Sequence, residues 1–242
     1  MVLPKIHKAY MWCLQKHFKI IALIISTLAI NNIVYSQTVI KEFKKDSIRF
    51  YLKDTLTVSN KKIPPEYNNT IKLALIYYPE LCSTKIKFKT KSQASPLSAR
   101  PSLFSIFQKA KNRKYIICIS TKTMQRFDSI LLKNLTFNSQ VGVIGHELSH
   151  IVFYNKQYGI YFIKLFFMHL NKKAIDKFEY NTDMRCIEHG LGYQLLLWSK
   201  EVRLKLNLTQ WKGINKNDIN GRERYMNPES IIKTIQQLKI YQ

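Results

Sequence analysis

The sequence predicts an α+β fold, mainly helical, with a small β-sheet ahead of one central helix and a second long helix downstream of it. Three observations carry this reading. Strand-like patterns are confined to residues 84–120, where 84–90 alternates polar and apolar and 115–120 is continuously apolar. Helical three- and four-residue spacing dominates elsewhere, at 65–78, 143–152, 173–197 and 228–238. With 242 residues, 46% hydrophobic and 12% aromatic, the chain can bury one real core and lies far from disordered composition.

Residues 1–36 have the layout of an export signal. Lys5, Lys8, Lys16 and Lys19 form a basic stretch without acids, residues 20–30 are apolar, and Val34-Tyr35-Ser36 provides small enough residues for cleavage before Gln37. The expectation is an exported protein, periplasmic or secreted; the alternative is an anchor in which residues 20–36 stay in the membrane. Cys13 would leave with the signal, and the odd number that remains, Cys82, Cys118 and Cys186, excludes a disulfide scaffold.

Residues 37–62 mix charged and apolar positions without a clear period and read as an N-terminal extension. The main domain follows at 63–200, and 201–242 reads as a C-terminal helical extension packed on it. Pro65 suits a first helical turn, Ile71, Leu75 and Tyr78 fall on one face, and Pro79 ends the helix. In 84–90, Ile86 and Phe88 oppose Lys85, Lys87 and Lys89, the lysine pattern of a protected edge strand. Residues 92–112 hold Pro96 and Pro101 and read as a loop with one short element at 103–107, whereas 115–120 should be a more central strand.

Residues 128–135 read as a helical approach to the central helix, with Thr136 or Asn138 as its cap. Gly142 and Gly145 each cost that helix about 1 kcal/mol relative to alanine, so a close backbone approach by another element is expected. Residues 158–170 are too few to span a membrane and read as a core helix, or alternatively as an interfacial segment near a site entrance. Residues 173–197 read as one long helix with Ile175, Glu179, Asp183, Cys186 and Gly190 on one stripe, weakened at its far end by Gly190 and Gly192. Cys186 reads as a small core residue, or alternatively as a group that contacts the metal or inhibits the site. From Pro228 a last amphipathic helix should bury Ile231, Ile232, Ile235 and Leu238.

The formal charge is +24, and between Glu80 and Asp128 there are eleven Lys or Arg and no acid. Such a surface favours anionic partners, including lipid headgroups or another anionic envelope component, unless it is simply a solvated basic face. No nucleic-acid-binding motif accompanies it, so no nucleic acid is expected.

The chemistry concentrates in His146-Glu147-Leu148-Ser149-His150. Histidines four apart on a helix lie one above the other and reach a common ion, while Glu147 is turned about 100° away, close to a metal-bound water. Candidates to complete the ligand set are His169, Asp176, Glu179, Glu188 and His189. Glu179 is the best of them, because Asp183 follows one turn later and can accept a hydrogen bond from a ligand histidine. Arg185, His189 and Tyr225 are candidates, by residue type alone, for the group that stabilises developing charge.

His146-Glu147-Leu148-Ser149-His150 followed by Phe178-Glu179-Tyr180-Asn181-Thr182-Asp183 resembles the gluzincin signature of the CaaX prenyl endopeptidase and heat-shock membrane protease family, and especially its compact minigluzincin members. Thr182 stands where that signature usually has alanine, and the 28 residues between His150 and Glu179 are fewer than in many relatives. The resemblance implies a zincin-like fold and one Zn²⁺ held by His146, His150 and Glu179. It further implies Glu147 as general base, Asp183 behind a ligand histidine, and a polypeptide substrate cleaved by metal-activated water. The substrate would lie along a sheet edge, for which 85–89 is the expected strand. The competing expectation is a non-catalytic, zinc-stabilised basic module that binds an anionic envelope component.

Overall fold

Among the described residues, the alternating and apolar runs pair into a four-stranded mixed sheet, and the rest is helix and short turns. The computed structural model describes residues 38–52, 59–168, 170–208 and 223–242. The expected signal or anchor at 1–36 and the candidate ligand His169 lie outside the described residues. Within them, no helix is long and apolar enough to cross a membrane.

The strands are β1 (Lys61–Lys62), β2 (Lys85–Lys91), β3 (Leu97–Pro101) and β4 (Lys114–Ser120), in the order β1-β2-β4-β3. β1, β2 and β4 run parallel, and β3 is antiparallel to β4. As expected, 115–120 is central and Ile86 and Phe88 are buried beneath exposed lysines. Two expectations are corrected. β2 is not an edge strand, since it pairs with both β1 and β4. The expected loop at 92–112 contains β3, which is an edge. Its prolines hid it, yet Pro101 takes a position whose missing N–H would have faced away from β4.

The helices are α1 (Ile48–Tyr51), α2 (Asn68–Ile76), α3 (Phe137–Asn155), α4 (Tyr161–Met168), α5 (Lys172–Cys186), α6 (Gly192–Lys205) and α7 (Pro228–Gln237). α2 follows a 3-10 turn started by Pro65 and buries Ile71 and Leu75, with Tyr78 buried just beyond it. The approach at 128–135 is a pair of 3-10 turns rather than α-helix. Of the two proposed caps, Thr136 occupies the N-cap position, but its hydroxyl bonds the Ser139 hydroxyl and the Glu201 carboxylate instead of a first-turn backbone N–H. Asn138 instead holds the 38–52 segment, exchanging two hydrogen bonds with the Phe43 backbone at 2.8 and 3.1 Å.

α3 is buried on nearly every side, with α2, α5, α6 and β3 packed around it. Gly142 permits this: a Cβ there would stand 2.3 Å from the Gln194 carbonyl oxygen of α6, the close backbone approach expected from the sequence. Gly145 faces side chains instead, Leu191 and Cys186.

The single long helix expected at 173–197 is broken. α5 ends at Cys186, a π turn spans Ile187–Leu191, and Gly190 adopts φ +89°, after which α6 starts in a new direction. Tyr241 holds the break, its hydroxyl donating to the Ile187 carbonyl (2.6 Å) and accepting from the Gly192 N–H (2.7 Å). In α7, Ile231 and Ile235 are buried as expected, Leu238 is partly buried, and Ile232 is 38% exposed, contrary to expectation. The core-helix reading of 158–170 holds for one face only, with Phe162 and Leu165 buried but Ile163 exposed.

The α3–α6 contact yields a test. Gly142→Ala gains about 1 kcal/mol in helix propensity but forces two backbones apart, and overpacking of this kind costs about 2 kcal/mol or more. Chemical denaturation should therefore show a net loss of stability for Gly142→Ala, larger than for Gly145→Ala, whose flexible neighbour Leu191 can yield.

Candidate metal centre

Three side chains from two helices converge in the core. On α3, His146 and His150 stand one turn apart and place their Nε2 atoms 3.1 Å from each other. Glu179 comes from α5, and its Oε2 lies 3.2 Å from His146 Nε2 and 3.4 Å from His150 Nε2. Both histidines are buried and Glu179 is largely so. The three ligand atoms are the one group among the described residues able to hold a metal ion.

The outer nitrogen of each ring shows which way the lone pairs point. His146 Nδ1 is 2.7 Å from Asp183 Oδ1, and a carboxylate only accepts, so Nδ1 carries the proton. Thr182 makes the matching contact to the other ring. Its hydroxyl donates to the Phe178 carbonyl at 2.9 Å, which leaves the oxygen to accept from His150 Nδ1–H at 3.3 Å. Both Nε2 atoms then present lone pairs to the same point, facing the unpartnered, buried Glu179 Oε2. Three acceptors so close repel one another, and positive charge among them, from a metal ion or from a proton on an imidazole, relieves the repulsion.

The dimensions fit such a cation. Ligands about 2.0–2.1 Å from a tetrahedral ion stand about 3.3 Å apart, and the observed edges are 3.1, 3.2 and 3.4 Å. The electrostatics agree. Burial disfavours the imidazolium form of His146, yet the adjoining Asp183 and Glu179 carboxylates override it and hold its pKa well above the usual value. Burial likewise opposes charge on Glu179, and the two imidazoles prevail, keeping its carboxyl far below the ordinary range. The site favours positive charge at its centre.

Glu147 is the remaining carboxylate. Burial raises its pKa, against the pull of His150 and His146 and of the Ala99 N–H of β3. Its Oε2 is buried without a partner. The register explains why Ala99 can reach it. Ser102 N–H bonds the Lys114 carbonyl and Ser120 N–H bonds the Pro96 carbonyl, so the even-numbered residues of β3 pair with β4. Leu97, Ala99 and Pro101 therefore turn their backbone groups away from β4, and that of Ala99 meets Glu147.

The C-terminal segment closes the other side. Asp183 Oδ2 accepts from the Met226 N–H at 2.8 Å, and the Met226 carbonyl accepts from Ser199 and from Arg203 on α6. This pins Tyr225 beside His146, with ring centroids 5.7 Å apart, and Trp198 flanks the same imidazole at 5.7 Å. Phe178 stacks on His150 at 5.0 Å. These rings wall the ligands from solvent.

Of the other candidates, Asp176 is paired with Arg224 at 2.8 Å, and Glu188 is exposed. His189 bonds Glu80 and the Arg185 carbonyl and stacks on Tyr78. Arg185 lies over the Phe153 ring. Tyr225 alone of the three proposed charge-stabilising groups reaches the centre. Cys186 is fully buried beside Gly142 and Gly145, and burial pushes its thiol pKa well up, as suits a core residue. None of the three described cysteines forms a disulfide.

Sequence reasoning missed Thr182 as a partner, along with the Ala99 and Met226 backbone groups. The signal for Thr182 was present: it sits next to Asp183 and four residues beyond Phe178, within a stripe already recognised as polar. Thr182→Val keeps the shape and removes the oxygen that accepts from His150. Zinc affinity, measured by competition with a chromophoric chelator, should fall about 10-fold or more, while Thr182→Ser should retain it.

No protein-family model, no curated protein and no solved structure matches this chain.

Proposed function

We propose that the chain is a zinc-dependent endopeptidase of zincin-like design, exported under the direction of residues 1–36. The observation that carries this is the ligand triangle of His146, His150 and Glu179 with a buried, partly unpartnered carboxylate, Glu147, on the adjacent helical position. A structural zinc site has four protein ligands, whereas three ligands with a neighbouring base leave a vertex for water. When bound, the zinc ion lowers the pKa of that water and polarises a carbonyl.

The chain's own residues supply the rest. His146 and His150 are held in the correct tautomer by Asp183 and Thr182, so neither ring must reorganise during turnover. Glu147 accepts the proton of the attacking water and returns it to the amine as the peptide bond breaks. Its raised pKa suits both halves of that exchange. Tyr225, whose ring lies beside His146, would donate its hydroxyl to the oxyanion that develops on the carbonyl.

The substrate edge in this reading is β3, not the 85–89 strand first expected. The outward N–H and carbonyl groups of β3 offer an extended peptide a strand partner directly beside Glu147. β2 has no such edge near the site.

Glu147→Gln separates metal binding from chemistry. Purified variant should retain one zinc per chain, while cleavage of an unstructured substrate such as casein falls by about 100-fold to 10,000-fold. Wild-type protein that carries zinc but cleaves nothing, or a variant as active as wild type, would overturn the peptidase reading. The first result would favour the basic binding module.

A further inference from the structure

Two short segments at the far end of α3 expose apolar side chains that the fold does not use. After β3, the turn at Leu103–Ser105 and the residues beyond it leave Leu103, Phe104 and Phe107 exposed, Phe104 by 91%. At the start of α4, Tyr158, Ile160 and Ile163 are also exposed, Tyr158 by 84% and Ile160 by 78%.

The two segments abut. Arg113 donates to the Gln108 carbonyl in one and to the Tyr154 and Gln157 carbonyls in the other. Gly159 sits so close that a Cβ on it would lie 2.8 Å from the Ile106 carbonyl oxygen. The side chains thus form one patch on a frame tied together by a buried guanidinium. Soluble proteins rarely leave bulky apolar groups of this kind grouped and uncovered.

α4 shows why a second apolar phase is needed. Its Phe162 and Leu165 face the core, while Ile163 faces outward, so the helix is apolar on opposite sides. At eight residues it is far too short to cross a bilayer, which leaves the membrane interface as the place where both faces are satisfied.

The charge around the patch selects the phase. Lys109, Lys111, Lys156 and Lys164 are exposed on the same two segments, and no acidic residue occurs at 81–127 or 148–175. Apolar tips ringed by lysines, whose stems can lie along apolar surface while their ammonium groups reach phosphates, match an anionic lipid surface. A soluble protein partner would need an apolar surface that is also uniformly acidic.

We propose that this patch docks the protein on the surface of an anionic membrane, with Phe104, Phe107, Tyr158 and Ile160 entering the interface. The β3 edge, which ends two residues before Leu103, would then sit close to the lipid surface. The proposal is independent of the peptidase reading, because its test reads lipid contact at residues outside the metal centre.

The full chain carrying Phe104→Trp is mixed with vesicles of phosphatidylglycerol whose acyl chains are brominated. The emission added by the new indole should shift to shorter wavelength and be quenched, and raised salt should weaken the effect. The same substitution on the α7 surface, Ile232→Trp, should give neither change, and vesicles of phosphatidylcholine alone should quench position 104 far less. An indole at 104 no more quenched than one at 232, or equal quenching by both lipids, would overturn the proposal. So would a lipid-free, concentration-dependent shift at 104 with self-association, which would assign the patch to a second copy of the chain.

Discussion

The fold is built around three lone pairs that point at one another inside a core. His146, His150 and Glu179 occupy a position whose surroundings favour positive charge and whose ligand atoms could hold a metal ion. Everything nearby fixes the direction of those lone pairs. Asp183 and Thr182 hold the outer nitrogens, and the Met226 N–H in turn holds Asp183. Such an arrangement is poor at packing a core and well suited to holding a cation.

Helix packing serves the same end. Gly142 lets α6 come close enough to α3 for Trp198 to flank His146, and the π turn at Ile187–Leu191 turns the chain so that α5 can carry Glu179 while α6 packs separately. The C-terminal segment is part of the site, since it places Tyr225 and satisfies Asp183. The sheet contributes an edge, β3, rather than a face. The interior is therefore polar at one point, while the basic surface carries an apolar patch.

Much of this was legible from residue spacing. Histidines four apart and an acid pair four apart define helix faces whatever the tertiary context, so His146, His150, Glu179 and Asp183 could be read directly. The alternation of Ile86 and Phe88 with lysines and the apolar run of β4 were equally plain. β3 was not, because Pro96 and Pro101 argue against a strand, and only the register shows that Pro101 needs no donor there. The break after Cys186 was hidden because Gly190 and Gly192 look like mere weak points until φ +89° is seen at one of them and a tyrosine hydroxyl at the other. The Ala99 and Met226 contacts use backbone N–H groups, which every residue but proline possesses and no pattern reveals. The exposure of Phe104 and Ile160 depends on what packs over them, and the sequence left 103–107 as a short element in a loop and 158–170 as a core helix or an interfacial segment.

The most direct test of the central claim is X-ray absorption spectroscopy at the zinc edge on protein loaded with one equivalent of zinc. The account predicts a shell of nitrogen and oxygen scatterers at about 2.0–2.1 Å, with the outer-ring signature of two imidazoles and no sulfur. In Glu179→Ala the imidazole signature should persist while one oxygen is replaced or lost. Failure to bind zinc, or a sulfur shell at about 2.3 Å, would contradict it.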